Sequence, residues 1–323
     1  MGQEDIAEKY LENYNDVFAD IINVLLVNGK PLVRPEELIT ARKQTHYKTS
    51  EGELHEQERD ISKYWLKGKI KLSLYGMENQ TSIDPDMPFR TIGYDGASYR
   101  EQLLEDKTEK KDKRKRRKER IPVITIILYF GEKHWRKPKS IREMVDIPLE
   151  LKPYFNDYKI HVFEIAWLTE EQVNLFQSDF RIVADYFVQK RKNKNYIPSQ
   201  QKIRHVDAVL KMLAACSGDN RFCEAIVEGN QEERETVTTM CEVLDKVIAR
   251  GEARGEARGE ARGEARTIGI IRKKLQKNMD ISDIADLLEL EEDYVTEIVL
   301  LIMQEPEKTD VEIAEEYLRT RAL

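Results

Sequence analysis

KIKLSLYGMENQ, residues 69–80, alternates from its start: Ile70, Leu72 and Leu74 fall on one face, and Lys71, Ser73 and Tyr75 on the other. This period of two predicts a strand with one face in a core. Glu78 and Gln80 lie two apart and continue the Ile70 face. A face that starts apolar and turns polar reads as a core face running out to an open edge. IPVITIILYFG, residues 121–131, is instead continuously apolar and rich in Val and Ile. That composition predicts a strand buried on both faces.

Other elements follow on either side. Residues 8–28 have helical periodicity, with Tyr14, Phe18, Ile21, Ile22 and Leu25 on one face, and Gly29 and Pro31 stop them. Residues 33–53 lack a clear period and read as a loop with a helical turn at most. Residues 55–66 form a weaker strand ending in Tyr64-Trp65, and Gly68 supplies the turn into residues 69–80. Pro85 and Pro88 open a helix to about residue 104. KIHVFEIAW, residues 159–167, is a second buried strand, and residues 169–248 are helical with breaks at 197–198 and 218. The order predicts an α/β domain over residues 1–250, a mixed sheet flanked by helices, with a basic insertion at 107–120 and a helical extension from about 169. Residues 251–266 are four copies of Gly-Glu-Ala-Arg, a linker or helix, and residues 267–323 form an all-helical tail.

Charge is unevenly distributed. The chain carries 35% charged residues and a net charge of −7. Residues 107–120, KTEKKDKRKRRKER, hold ten basic and three acidic side chains, so this segment contributes +7 and the rest −14. Whole-chain acidity therefore does not exclude a polyanionic partner. The three cysteines, Cys216, Cys223 and Cys241, show no CxxC spacing and suit a reduced compartment. The acidic N-terminus lacks the basic and apolar regions of a signal peptide, and Ile6 stands where a myristoylation signal has Ser or Thr. No apolar run is long enough to span a bilayer, and the expectation is a cytoplasmic protein without a membrane partner. A GxxxxGK[ST] loop is absent, which argues against ATP, and no two histidines have helical ligand spacing.

Asp60 precedes Glu78 by one hairpin, so antiparallel pairing brings the two carboxylates alongside one another, with Gln80 beside them. Phosphodiester hydrolysis needs hard divalent cations on carboxylate oxygens, with positions left for water and phosphate. By itself the pattern occurs in most proteins, and its ordinary reading is solvated strand-end acids. Seven blocks in order add to it: DVFADIINVLLVNG, LHEQERDISKYW, LYGMENQT, DMPFRTIGYDGASYR, PVITIILYFG, LKPYFNDYKIHVFEIAWL and SDFRIVADYFVQKRK, spanning about residues 14–195. Across them the chain resembles the recombination-promoting nuclease / putative transposase family. The resemblance implies a restriction-endonuclease-like PD-(D/E)xK core that cleaves DNA with Mg2+ or Mn2+. It matches Asp60 to the first acid of the motif, Glu78 to the second, and Asp16 or Asp20 to an additional metal-binding acid on the first helix. The usual lysine falls at Gln80, a neutral side chain that can hydrogen-bond a water but not take its proton. Lys63, an odd number of residues from Asp60, would point to the opposite face.

Arg90 and Arg100, on the helix FRTIGYDGASYRE, are candidate phosphate contacts, or else parts of a surface helix. Arg114, Lys115, Arg116 and Arg117 in the basic run are candidates for sequence-independent DNA contact, or a solvated insertion. In the Gly-Glu-Ala-Arg repeat, Glu252/Glu256 and Arg254/Arg258 are like-charged neighbours one turn apart. A lone helix of this kind is unfavourable, and a second helix would match its charges, so homo-oligomerisation through the C-terminal region is expected alongside the linker reading. Ile284, Ala285, Leu288, Val295 and Ile298 are spaced as in a helix-turn-helix. Residues 280–305 nevertheless carry nine acidic and no basic side chains, which excludes phosphate binding there. The reading is a metal-dependent DNA endonuclease, for which the resemblance implies an association with recombination or mobile elements. The competing one is a DNA-binding or oligomeric scaffold whose catalysis is impaired at Gln80.

Overall fold

β5, Ile70–Gln80, is the middle strand of a five-stranded mixed sheet ordered β1-β4-β5-β6-β7. A computed structural model describes residues 11–41, 44–48, 54–58, 60–68, 70–108, 120–228 and 239–321. β4, Ile61–Lys67, pairs antiparallel with β5 and with β1, Leu38–Thr40, at the edge. β6, Val123–Tyr129, and β7, His161–Glu164, continue the other side in parallel. Parallel neighbours need a crossover, and between β5 and β6 it contains α2, Met87–Thr108. β2, Gln44–Lys48, and β3, Leu54–Glu58, form a separate antiparallel pair. The stretch read as a loop thus contains β1 and β2. β1 is three residues long, too short to show a period, and is defined by its pairing with β4.

β6 behaves as its composition requires, with every side chain from Thr125 to Tyr129 buried apart from the half-buried Ile124 before them. β5 departs from expectation. The register slips between Trp65 and Leu66, so Trp65 faces Ser73 while Leu66 faces Lys71, and Leu72 is left as the extra residue of a bulge. The alternation is reset there. Lys71 lies over the Tyr64 ring, its ammonium 3.9 Å from the centroid, on the face shared by Tyr64 and its partner Leu74. The direction of burial is also the reverse of the one expected: Ile70 is 65% exposed, whereas Glu78 has no exposed surface. The apolar beginning of the strand lies at the rim and its polar end is inside, because helices cover both faces there.

α1, Asn15–Val27, covers the face carrying Lys63, Tyr75, Met77 and Asn79, burying Val17, Phe18, Ile21 and Ile22. Lys63 is fully buried beneath it. Its ammonium donates to the Asn13 carbonyl and to Asn15 Oδ1, both at 2.5 Å, and lies 5.2 Å from the Phe18 centroid. It points to the α1 face, as its odd spacing from Asp60 requires. α2 covers the opposite face, where Met87 joins Ile127, Tyr129, Trp135 and Ile160 in one cluster. After β7 come a 3-10 turn, Ile165–Trp167, and four helices: α3, Glu170–Leu175; α4, Phe180–Asn193; α5, Val206–Ser217; and α6, Asn220–Glu228.

The chain divides into two units, residues 1–244 and 245–323. The repeat is helical, inside α7, Met240–Leu275. In the second unit Ala265, Ile268 and Ile271 of α7 pack with α8, Ile281–Leu288, α9, Glu292–Gln304, and α10, Asp310–Arg321. Residues 251–260 are exposed throughout, while Ala261 and Ala265 are buried. Burial begins only where the repeat nears the cluster that Ala265, Ile268 and Ile271 form with the later helices. Among the described residues no helix is long and apolar enough to cross a membrane.

Burial holds the Lys63 amine down to about 8, with Asp16 opposing the shift. Because the folded-state value lies below that of the unfolded chain, the unfolded chain binds more protons between about pH 8 and 10.5, and stability from this group rises with pH across that window. Relative to Lys63→Met, wild type should therefore gain roughly 2–4 kcal/mol between pH 7.5 and pH 10.5 in urea denaturation. A difference that does not change with pH would show that the amine is solvated.

Candidate functional site

The buried end of β5 brings charge into the sheet. Ile61 pairs with Met77, so Asp60, one residue before β4, arrives at the level of Glu78 and Asn79. Asp60 Oδ2 accepts the Asn79 backbone N–H at 2.8 Å. That bond lies between Glu78 and Gln80 and fixes the first carboxylate beside the second. From α2, Arg90 brings a guanidinium nitrogen within 3.7 Å of Glu78 Oε2. Arg90 also donates to Asp84 at 2.7 Å and to the Tyr94 hydroxyl at 3.1 Å.

Two titrations register these charges. Burial pushes the Tyr94 phenol above its usual value, and Glu78 and then Asp60 add to the rise, against the Arg90 hydrogen bond. For Arg90 burial acts downward, but its bonds to Asp84 and Tyr94 and the charge of Glu78 raise it, so it is firmly cationic. Asp60, Glu78, Arg90 and Tyr94 therefore form one electrostatic unit. Tyr94 belongs to it although its sequence context reads equally well as packing. The signal available in the sequence was its place one turn after Arg90.

Gln80, half-buried, ends the strand, and its carbonyl accepts the Phe130 N–H at 2.9 Å. This ties the strand end to the residue following β6. Deeper on the same face Asp95 accepts from Thr125 Oγ1 at 2.6 Å and makes a short hydrogen bond with the Tyr158 hydroxyl. The Asp95 contacts link α2 to β6 and to the segment before β7.

The helix acids have other partners. Asp16 meets His205 Nε2 at 3.3 Å and Arg204 at 3.7 Å. Asp20 accepts the backbone N–H groups of Gln177 and Ser178 at 2.8 and 2.7 Å, and its carboxyl is pushed up by burial. Both acids anchor loops to α1. A third acid, Glu12, just before α1, meets the strand end from the α1 face, opposite Glu78. It is fully buried, and its Oε2 accepts from Asn79 Nδ2 at 2.6 Å. Helical periodicity over residues 8–28 gave no means of choosing it, because the helix is interrupted at Asn13 and Tyr14.

Arg100 is exposed on α2. Arg114, Lys115, Arg116 and Arg117 lie outside the described residues. Among the described residues no three His, Cys, Asp or Glu side chains converge as a ready metal cage. Two adjacent carboxylates suffice for Mg2+, which usually keeps several waters and completes its shell with substrate oxygens. Asp60 and Glu78 are hard oxygen donors of that kind, and they fit such an ion chemically. No family model, curated protein or solved structure matches the chain.

The electrostatic unit has a direct test. With its tyrosines 13C-labelled, Glu78→Gln should move the Tyr94 titration down toward the ordinary phenol value, and Asp60→Asn should do so by less. A Tyr94 titration unmoved by either substitution would place the carboxylates apart.

Proposed function

We propose that the chain is a metal-dependent DNA endonuclease whose site is built from Asp60, Glu78 and Gln80 on a PD-(D/E)xK-like core. The observation that carries this reading is the bond from the Asn79 N–H to Asp60 Oδ2, which sets one carboxylate between Glu78 and Gln80 in the sequence of β5. The resemblance of residues 14–195 to the recombination-promoting nuclease family supports the same reading. Asp60 and Glu78 would hold Mg2+ or Mn2+, which when bound supplies Lewis acidity toward the scissile phosphate.

The protein's own side chains have separate tasks. Gln80 orients the attacking water through its carboxamide and leaves proton removal to another acceptor. Arg90 remains cationic, and with 41% of its side chain exposed it is able to meet a phosphate while its bond to Asp84 is kept. Burial of Glu78 keeps water away from one side of the carboxylate pair and strengthens its field.

A second reading has an observation of its own. Arg90 already neutralises part of the charge on Glu78, and Gln80 lacks the ammonium of the usual motif, a pairing suited to a DNA-binding scaffold without catalysis. Nicking of plasmid DNA with Mg2+ or Mn2+ separates the two readings. Asp60→Asn, which keeps an acceptor for Asn79, and Glu78→Gln should each lower the rate by roughly a hundredfold or more. Gln80→Ala should cost more than about tenfold, and Gln80→Lys should be tolerated. An inert wild type that Gln80→Lys activates would establish the scaffold.

A further inference from the structure

The segment that follows β6, residues 131–139, reads GEKHWRKPK. It leaves the sheet next to the candidate site: Gln80 and Tyr129 are register partners, and the Gln80 carbonyl holds Phe130. Gly131 is required at the exit, because a Cβ there would overlap the buried Tyr129 ring.

The segment is fastened throughout. Glu164, at the end of β7, accepts from the Trp135 N–H at 3.1 Å, bonds His134 Nδ1 at 2.8 Å and reaches Lys139 Nζ at 3.5 Å. Trp135 is buried edge-on against Tyr129, with centroids 5.2 Å apart. His134 stacks on Trp167 at 3.5 Å, while the Arg191 guanidinium lies 4.0 Å from the same ring. Two planar groups that close to one ring cannot share a face, so Trp167 is enclosed between them. At the far end the Lys139 carbonyl accepts the Ile160 N–H at 2.9 Å.

Of the anchoring residues Trp135 is buried, and His134 and Lys139 are held while partly exposed; Lys133, Arg136 and Lys137 are exposed, against one exposed acid, Glu132. We infer that this loop is a preformed binding surface for the phosphate backbone of duplex DNA, delivering the duplex to the strand ends that carry Glu78 and Gln80. Cations on a rigid loop lose little side-chain-supporting backbone entropy on binding, and their contacts release counterions from DNA. The aromatic rings of the loop are already packed, so it has no stacking platform for unpaired bases. Recognition is therefore of the duplex backbone and independent of sequence. The inference rests on the nuclease reading only for what happens after delivery; binding is measured without cleavage.

The test is anisotropy of a labelled duplex with the full chain in EDTA, over a salt series. Lys133→Ala/Arg136→Ala/Lys137→Ala should keep the wild-type melting temperature, bind roughly tenfold more weakly at low salt, and lower the slope of log Kd against log salt by about 2–3. Lys133→Arg/Arg136→Lys/Lys137→Arg should bind as wild type does. If the triple alanine variant is unstable, Arg136→Ala alone should lower the slope by about 1. Unchanged affinity and slope in the alanine variants, tighter binding of single strands than of duplex, or a wild type that does not bind duplex would each overturn the inference. A protein that binds through the loop but never cuts would sink the nuclease proposal and leave this one standing. Cutting with loop-independent affinity would do the reverse.

Discussion

Glu78 has no exposed surface, and a carboxylate loses strong hydration when it is taken from water. Such a charge persists only where neighbouring groups replace the lost solvent, and the elements flanking β5 are arranged to do this. α2 brings the Arg90 guanidinium to one side of it, which offsets the charge, and the chain entering β4 brings Asp60 alongside, a like charge that increases the demand on Arg90. The parallel pairing with β6 requires the crossover that contains α2, so topology and site chemistry are the same constraint. Moving α2 would expose Glu78 to water and dissolve the arrangement of Arg90, Asp84 and Tyr94 together.

The opposite face of β5 is polar to an unusual degree for a covered sheet. Lys63, Asn79 and Glu12 are buried there, hydrogen-bonded to one another's neighbours across the start of α1. Well-packed apolar residues would often be as stable or more so. Here the polar contacts fix the angle at which the chain enters α1 and hold Asn79 in place. The backbone of Asn79 carries Asp60, so contacts on the α1 face position a carboxylate belonging to the site. Asp16 and Asp20 extend the same anchoring to the loops at 177–178 and 204–205.

Gln80 stands where the proposed chemistry most needs a proton acceptor, and Lys63 on the neighbouring strand is unable to replace it. Lys63 lies on the other face, enclosed beneath α1. Among the described residues, the cation that reaches the site is Arg90 from α2. On the proposed nuclease reading, the cationic loop and Arg90 would carry a larger share of phosphate recognition than they would beside a motif lysine.

Local pattern was sufficient for β6, for the helical identity of α1 and α2, and for the antiparallel approach of Asp60 to Glu78, since each depends on residues near in sequence or on the parity of a strand. The change in character after residue 250 was equally visible, because a perfect four-residue repeat is a local property. Other features required the folded chain. The bulge at Leu72 resets which side chains share a face, and nothing in KIKLSLYGMENQ marks it, because it arises from fitting β5 to β4. β1 exists only through its partner. The burial of Glu78 inverted the expected gradient, because a strand records its own alternation but not which end will lie beneath two helices. The partners of the acids near α1 were likewise tertiary: only the packing of that helix on the sheet brings Glu12 to Asn79, Asp16 to His205 and Asp20 to the backbone of residues 177–178.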